Sequence, residues 1–210
     1  MTPANPKPIN IGHAQLVRKY ALIFVVGVGA VIAALSDSWW TSHSAGREFI
    51  EFCGLLLIVA CIVFRSYCSL YIGGKKINSI VMEGPYSVCR NPLYLASIIG
   101  AAGIGAQQGS IGLAVVTGTA VAVIFFVLAI REEQYLTRLH GDHFRSYIRR
   151  VPRFIPDFSL WRDVKKLEIE PRYALVTALD SCVILLWLPV AEALEHAHES
   201  NLFPVLFRLP

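Results

Sequence analysis

Long apolar runs, broken by polar and basic stretches, set the pattern of this chain. A bilayer core takes about 20 apolar residues per helix. Five runs are candidate spans: about Tyr20 to Trp40, Phe49 to Ile72, Leu93 fading near Gln107, Ile111 to Ile130, and Tyr173 to about Ala193. Only "QQGS" separates the third and fourth, which predicts a tight helical hairpin. The first run is too long for the apolar region of a secretory leader and lacks a cleavage pattern. Arg65 and Asp180 interrupt the second and fifth runs, each about 10 Å from the inner end at the rise of a helix. Unpaired charge is costly there, so the two are expected to pair and link those spans.

Composition agrees with the pattern. The 210 residues are 55% hydrophobic, with a mean hydropathy of +0.53. Charged residues make up 16%, against about 25% in an ordinary soluble domain. The fold class expected is all-α: one polytopic membrane bundle over residues 1–210, with about five transmembrane helices and a cytoplasmic cofactor-binding segment. No basic low-complexity tail points to nucleic acid. The five cysteines contain no CxxC pair, and four lie in apolar runs as small hydrophobes. Cys89, beside Arg90, is the one in a setting that suits a reactive thiol.

Charge is unevenly placed. Sixteen Lys and Arg residues fall before the first run, between the second and third, or between the fourth and fifth. Arg47 and Arg208 are the two on the other side. With five spans, the positive-inside rule puts the N-terminus in the cytoplasm and the C-terminus on the opposite face. The apolar tail "NLFPVLFRLP" reads as an interfacial anchor there.

Two inner-face stretches carry candidate chemistry. "GPYSVCRNPLY", Gly84 to Tyr94, is a rigid loop, because Gly-Pro and Asn-Pro both mark turns. It sets Arg90 against the start of a span. "REEQYLTRLHGDHFRSYIRRVPRFIP", Arg131 to Pro156, follows the fourth span. If the helix continues, Leu136, His140, His143 and Tyr147 share a stripe with Glu132 or Glu133. Adjacent residues point about 100° apart, so one glutamate can face a pocket while the other meets an arginine. On spacing alone this is also an amphipathic helix lying on an anionic leaflet. His140 with His143, and "EHAHE" at Glu195 to Glu199, lack a full metal-site spacing, so no metal is expected.

Together these two stretches resemble the isoprenylcysteine carboxyl methyltransferase family, which is related to the phospholipid methyltransferases. The shared pattern is a Gly-Pro-Tyr turn, an Arg-x-Pro-x-Tyr motif opening a helix, a Glu-Glu pair after the next span, spaced tyrosines and an Arg-x-Ile-Pro close. It covers residues 84–156. Asn91 stands where the family has histidine, and Phe144 where tyrosine is common. The resemblance implies a helical membrane enzyme that binds S-adenosylmethionine at the cytoplasmic face. It implies catalytic roles for Arg90, Glu133 and Arg153. Tyr94, Glu132, Glu133, Leu136, His140 and Tyr147 would contact the cofactor, with Gly103 and Gly105 as the Gly-x-Gly of the phospholipid branch.

The chemistry of those side chains is compatible. A glutamate can hold ribose hydroxyls or an ammonium, an arginine can pair a carboxylate bidentately, and aromatic rings suit a sulfonium. The acceptor expected is a lipophilic or lipidated molecule, methylated at the inner face on a carboxylate. Phospholipid N-methylation is the nearest alternative. An NADPH-dependent sterol or enone reductase is another, since ten inner basic residues could meet its phosphates, though paired glutamates suit that cofactor poorly. A third is a scaffold whose inner helix only binds lipid or a partner.

Overall fold

The computed structural model describes residues 36–40, 44–72, 80–167, 169–200 and 207–209, together with Gly27 and Val31. Most of the first expected span lies outside these residues, as do Lys7, Arg18, Lys19, Lys75 and Lys76.

The described chain is helical: α1 Ala45–Ile72, α2 Pro85–Val88, α3 Pro92–Ala106, α4 Ile111–His140, α5 Asp142–Arg150, α6 Pro171–Cys182 and α7 Trp187–Glu199. Two three-residue strands, β1 Ser36–Ser38 and β2 Phe207–Leu209, pair in parallel. Among the described residues, three stretches are long and apolar enough to cross a bilayer. They are α1, α4 and Ala174–His198, in which a 3-10 turn at Val183–Leu186 joins α6 to α7. The protein is an integral membrane protein of the helical-bundle class expected.

Helix lengths explain where the chemistry sits. α4 has 30 residues, about 45 Å at 1.5 Å per residue, against a hydrocarbon core of about 30 Å. Its last turns therefore project beyond the core, and they carry Glu132 and Glu133. α3 has 15 residues, about 22 Å, and is shorter than a full span. Pro92 sets its start at the first helical position. Gly109, at φ 64°, turns the chain after its end. Ser110 then caps α4, its Oγ accepting from Leu113 N at 3.1 Å. The predicted hairpin is thus made by α3 and α4.

One face of α1 is lipid-exposed at Phe49, Phe52, Leu56, Val59 and Val63, a spacing of three and four residues. Its other face packs on α3 through small residues. A Cβ on Gly54 would stand 2.9 Å from the Gly103 carbonyl oxygen, and one on Gly103 would stand 2.7 Å from that of Gly54. Backbones can approach this closely only because both positions lack side chains. The α3–α4 contact is equally close: a Cβ on Gly105 would meet Thr117 Oγ1 at 2.5 Å.

The expected Arg65–Asp180 pair is replaced by another link. Arg65 Nε donates to Ser181 Oγ at 2.9 Å, and its NH1 donates to Ser97. Asp180 is exposed while Ser181 is buried. One residue is a 100° step around a helix, so the neighbour of the aspartate faces α1. The connection between the second and last spans is as expected; its partner is a hydroxyl.

The two ends of the bundle differ. Ser38 Oγ donates to the Gly109 carbonyl at 2.7 Å, and Arg47 bridges Glu51 at 2.9 Å and Glu195 at 3.1 Å. The β1–β2 pair and the hairpin tip share this end. The loop before α3 and the end of α4 lie at the other.

Candidate active site

The end of the bundle that carries Glu132 and Glu133 is built by lacing two irregular segments together. Residues 84–91 and 152–162 bond through their backbones: Gly84 N to Arg162 O at 2.7 Å, Arg90 N to Pro152 O at 2.9 Å, and Asp157 N to Val88 O at 3.0 Å. Side chains extend the lacing. Asn91 Nδ2 donates to the Arg153 carbonyl at 3.3 Å, and Arg162 N donates to Ser87 Oγ at 3.0 Å. Tyr147, buried on α5, donates its hydroxyl to the Tyr86 carbonyl at 2.7 Å. Asn91, at the position of the family histidine, thus holds the later loop.

Glu133 is the centre of the arrangement. Arg153 grips it with two bonds, Nε to Oε1 at 3.0 Å and NH2 to Oε2 at 2.9 Å. Arg90 NH1 stands 3.1 Å from the same Oε2. The side chains of Glu133 and Arg90 are each 10% exposed, that of Arg153 31%. One carboxylate therefore serves two guanidiniums. Burial lowers the pKa of Arg90, with Glu133 opposing that shift, while the hydrogen bond to Glu133 raises that of Arg153. Both directions agree with Glu133 being bound mainly to Arg153. Nε and NH1 of Arg90 are buried and have no hydrogen-bond acceptor of good geometry.

Glu132 faces elsewhere. Its Oε1 accepts from the Tyr94 hydroxyl at 2.6 Å, a short bond typical of a phenol on a carboxylate. Tyr94 stacks on Phe125, ring centroids 4.5 Å apart. Arg153 lies over Phe126, 5.3 Å from its centroid. Phe125 precedes Glu132 by seven residues and Phe126 precedes Glu133 by seven, two helical turns in each case. That double spacing is a signal in the sequence for two neighbouring stripes on α4; the fold then adds Tyr94 to Phe125 and Glu132, and Arg153 to Phe126 and Glu133.

The expected continuous stripe is broken. Gly141, at φ 58°, ends α4, and α5 starts again at Asp142. A glycine takes this backbone without the steric cost that a Cβ brings. Leu136 packs with Phe144, Tyr147 and Val151, and His140 Nε2 is buried without a partner. His143 falls on the exposed side. Of the residues singled out, the fold brings Arg90, Tyr94, Glu132, Glu133, Leu136, Tyr147 and Arg153 to one end, with His140 one turn beyond Leu136. It does not bring Gly103 or Gly105 there. Gly105 packs on Thr117, sixteen residues before Glu133 on α4, about 24 Å along the axis. Their described contacts are helix packing.

Cys89 is a correction. It is 1% exposed, its thiol points at the Arg153 and Phe154 carbonyls at 3.4 Å, and burial pushes its pKa up to about 11. It stays a neutral thiol at physiological pH, which makes it a poor nucleophile. Among the described residues no group of three His, Cys, Asp or Glu side chains is set to hold a metal.

Comparison with known proteins adds to this geometry. A family model described as phospholipid methyltransferase matches residues 49–143. The chain is 32% identical over 209 residues to the nickel-cobalt-cadmium resistance protein NccN of Alcaligenes xylosoxydans xylosoxydans, covering 99% of this chain and 96% of that protein. It is 31% identical over 165 residues to the cobalt-zinc-cadmium resistance protein CzcN of Cupriavidus metallidurans, covering 77% and 76%. No solved structure matches. The chain belongs to one family with NccN, and its residues 49–143 are similar to the phospholipid methyltransferases.

Proposed function

We propose that this protein is an S-adenosylmethionine-dependent methyltransferase that acts on a membrane-borne acceptor at the cytoplasmic face. The observation that carries the reading is the pair of neighbouring glutamates at the inner end of α4, one held by Tyr94 and the other by Arg153 and Arg90. The donor set fits this cofactor. His140 Nε2 and Tyr86 Oη are buried polar atoms without partners, and unsatisfied groups of this kind are uncommon in a folded protein. A nucleoside offers both donors and acceptors to them.

The cofactor, when bound, supplies a methyl group on a sulfonium sulfur for in-line transfer to a nucleophile. Glu132 is the ligand-facing carboxylate in this reading, oriented by the Tyr94 hydroxyl. Glu133 is a positioning residue. It uses Nε and NH2 of Arg153, which leaves the NH1 side of that guanidinium for the cofactor's carboxylate. Leu136 and Tyr147 form the apolar wall. A carboxylate acceptor arrives ionised and needs no base. An amine must lose a proton, and Glu132 is the group placed to take it. Carboxylate O-methylation is the first reading, because the ordered pattern from Arg90 to Pro156 is nearest to the isoprenylcysteine carboxyl methyltransferases. The phospholipid methyltransferase match favours a headgroup amine as the second. The relatives' names suggest that the methylated membrane component serves resistance to divalent metals.

The test uses purified protein in nanodiscs. Calorimetry should show saturable S-adenosylmethionine binding, weakened on the order of tenfold or more by Glu132→Gln, as expected for losing a hydrogen bond to a charged group. Unchanged affinity would remove Glu132 from the site, and tighter saturable binding of NADPH would favour the reductase. Labelled cofactor with a prenylcysteine analogue, phosphatidylethanolamine and a soluble thiol separates the acceptors. Base-labile label on prenylcysteine marks the ester; stable label on the phospholipid marks N-methylation. Turnover of the thiol alone would sink the membrane-borne acceptor.

The orientation belongs to the same reading: N-terminus cytoplasmic, C-terminus opposite. It rests on the asymmetry of sixteen basic residues against two. A reporter fused after Pro210 should lie on the non-cytoplasmic side. Cytoplasmic signal from that fusion would overturn the five-span topology.

A further inference from the structure

Beside the glutamate pair is a separate cleft of about 530 Å³. Its lining includes Arg90, Arg149, Arg150, Ile155, Asp157 and Phe158. Three of these are cationic and one is acidic. Asp157 Oδ1 is engaged, accepting from Ser159 N at 3.0 Å and from Ser159 Oγ at 2.6 Å. Behind the cleft, Glu133 is shared between Arg90 and Arg153, so positive charge exceeds negative there. Arg90 is the buried member of the lining; its NH1 stands 3.1 Å from the Glu133 carboxylate that Arg153 also holds, and its Nε is buried without an acceptor. A buried cation with unsatisfied donors is costly unless an anion approaches.

The rim is of the opposite character. Ile155 is 83% exposed and Phe158 73%, an unusual degree for large apolar side chains beside three arginines. The segment lies between the end of α4, which leaves the membrane, and Pro171, where α6 re-enters. Exposed apolar side chains at that level meet the headgroup–acyl boundary, and neighbouring arginines meet anionic headgroups. A purely soluble anion would satisfy the arginines but leave Ile155 and Phe158 in water.

We propose that this cleft binds the phosphate of an anionic inner-leaflet phospholipid as a resident ligand, with Arg149 and Arg150 at its mouth, Arg90 behind, and Ile155 and Phe158 against its acyl chains. The lipid holds segment 152–162 down against the bundle. This goes beyond methyl transfer and does not require it, because the lipid is a ligand of the protein with or without cofactor.

The test titrates detergent-purified full-length protein with short-chain phosphatidylglycerol and phosphatidylcholine, read by native mass spectrometry. Phosphatidylglycerol should bind at one site and phosphatidylcholine at least tenfold more weakly. The Arg149→Gln/Arg150→Gln protein should lose on the order of 10- to 30-fold in phosphatidylglycerol affinity, at about 1 kcal/mol for each surface arginine. Ile155→Ser/Phe158→Ser should also weaken binding, whereas inorganic phosphate at millimolar concentration should compete poorly. Equal binding of both lipids, or no change in the arginine variant that retains its native unfolding temperature, would overturn the proposal. Full displacement by inorganic phosphate would make this a soluble-anion site and refute the lipid. Displacement of the lipid by S-adenosylhomocysteine would assign the cleft to the cofactor and refute it too. None of these outcomes depends on measured methyl transfer.

Discussion

Glu133→Gln should destabilise the protein by about 3 kcal/mol, the lower part of the range for breaking a buried ion pair. The lower part applies because the Arg153 side chain is 31% exposed and water screens it. The physical reason is arithmetic of charge. Glu133 is the carboxylate between Arg90 and Arg153; without it two guanidiniums face each other across a buried site. The amide of glutamine can accept one bond but cannot neutralise either cation. The loss should spread to the loop, because Arg153 carries the carbonyl that accepts from Asn91. Glu132→Gln, by contrast, keeps an acceptor for the Tyr94 hydroxyl and should cost less stability than Glu133→Gln while lowering cofactor affinity. Denaturant or thermal unfolding in nanodiscs separates the two residues. If Glu133→Gln unfolds like wild type and only loses cofactor, the division of labour between the glutamates is reversed.

Gly84→Ala is expected to be as damaging. Gly84 sits at φ 57° and ψ −131°, a conformation that residues with a Cβ rarely adopt. The strain is about 1–3 kcal/mol. A Cβ there would also lie 2.3 Å from the Tyr71 ring, and that ring is fixed, since its hydroxyl bonds Asp163 at 3.0 Å. Moving Gly84 would pull on the hydrogen bond its N–H donates to the Arg162 carbonyl and loosen the lacing that places Arg90. Total destabilisation should reach about 3 kcal/mol or more, of the kind overpacking produces. Adding Tyr71→Ala removes the clash but not the backbone strain, so the double variant should be less unstable than the sum of the singles. Strict additivity would show that the ring does not confine Gly84.

Much of this protein was legible in its sequence. Apolar length and polar breaks determined the second, fourth and fifth spans, because a bilayer imposes one length and one polarity on any helix that crosses it. The hairpin after Gln107 followed from the shortness of the QQGS separator, where the Gly109 turn and the Ser110 cap act locally. The 100° step between Glu132 and Glu133 already required them to have different partners.

Only the tertiary structure decided which partner each received. Tyr94 lies 38 residues before Glu132 and Arg153 lies 20 after Glu133; such pairings depend on how α3 and the 152–162 loop pack, which no local pattern encodes. The same holds for Arg65, which meets Ser181 because the rotation of α6 turns Asp180 outward. It holds for Gly103 and Gly105, which resemble the Gly-x-Gly of the phospholipid branch but whose Cβ positions neighbouring helices occupy. Periodicity identifies the face of a helix; packing alone determines what that face meets.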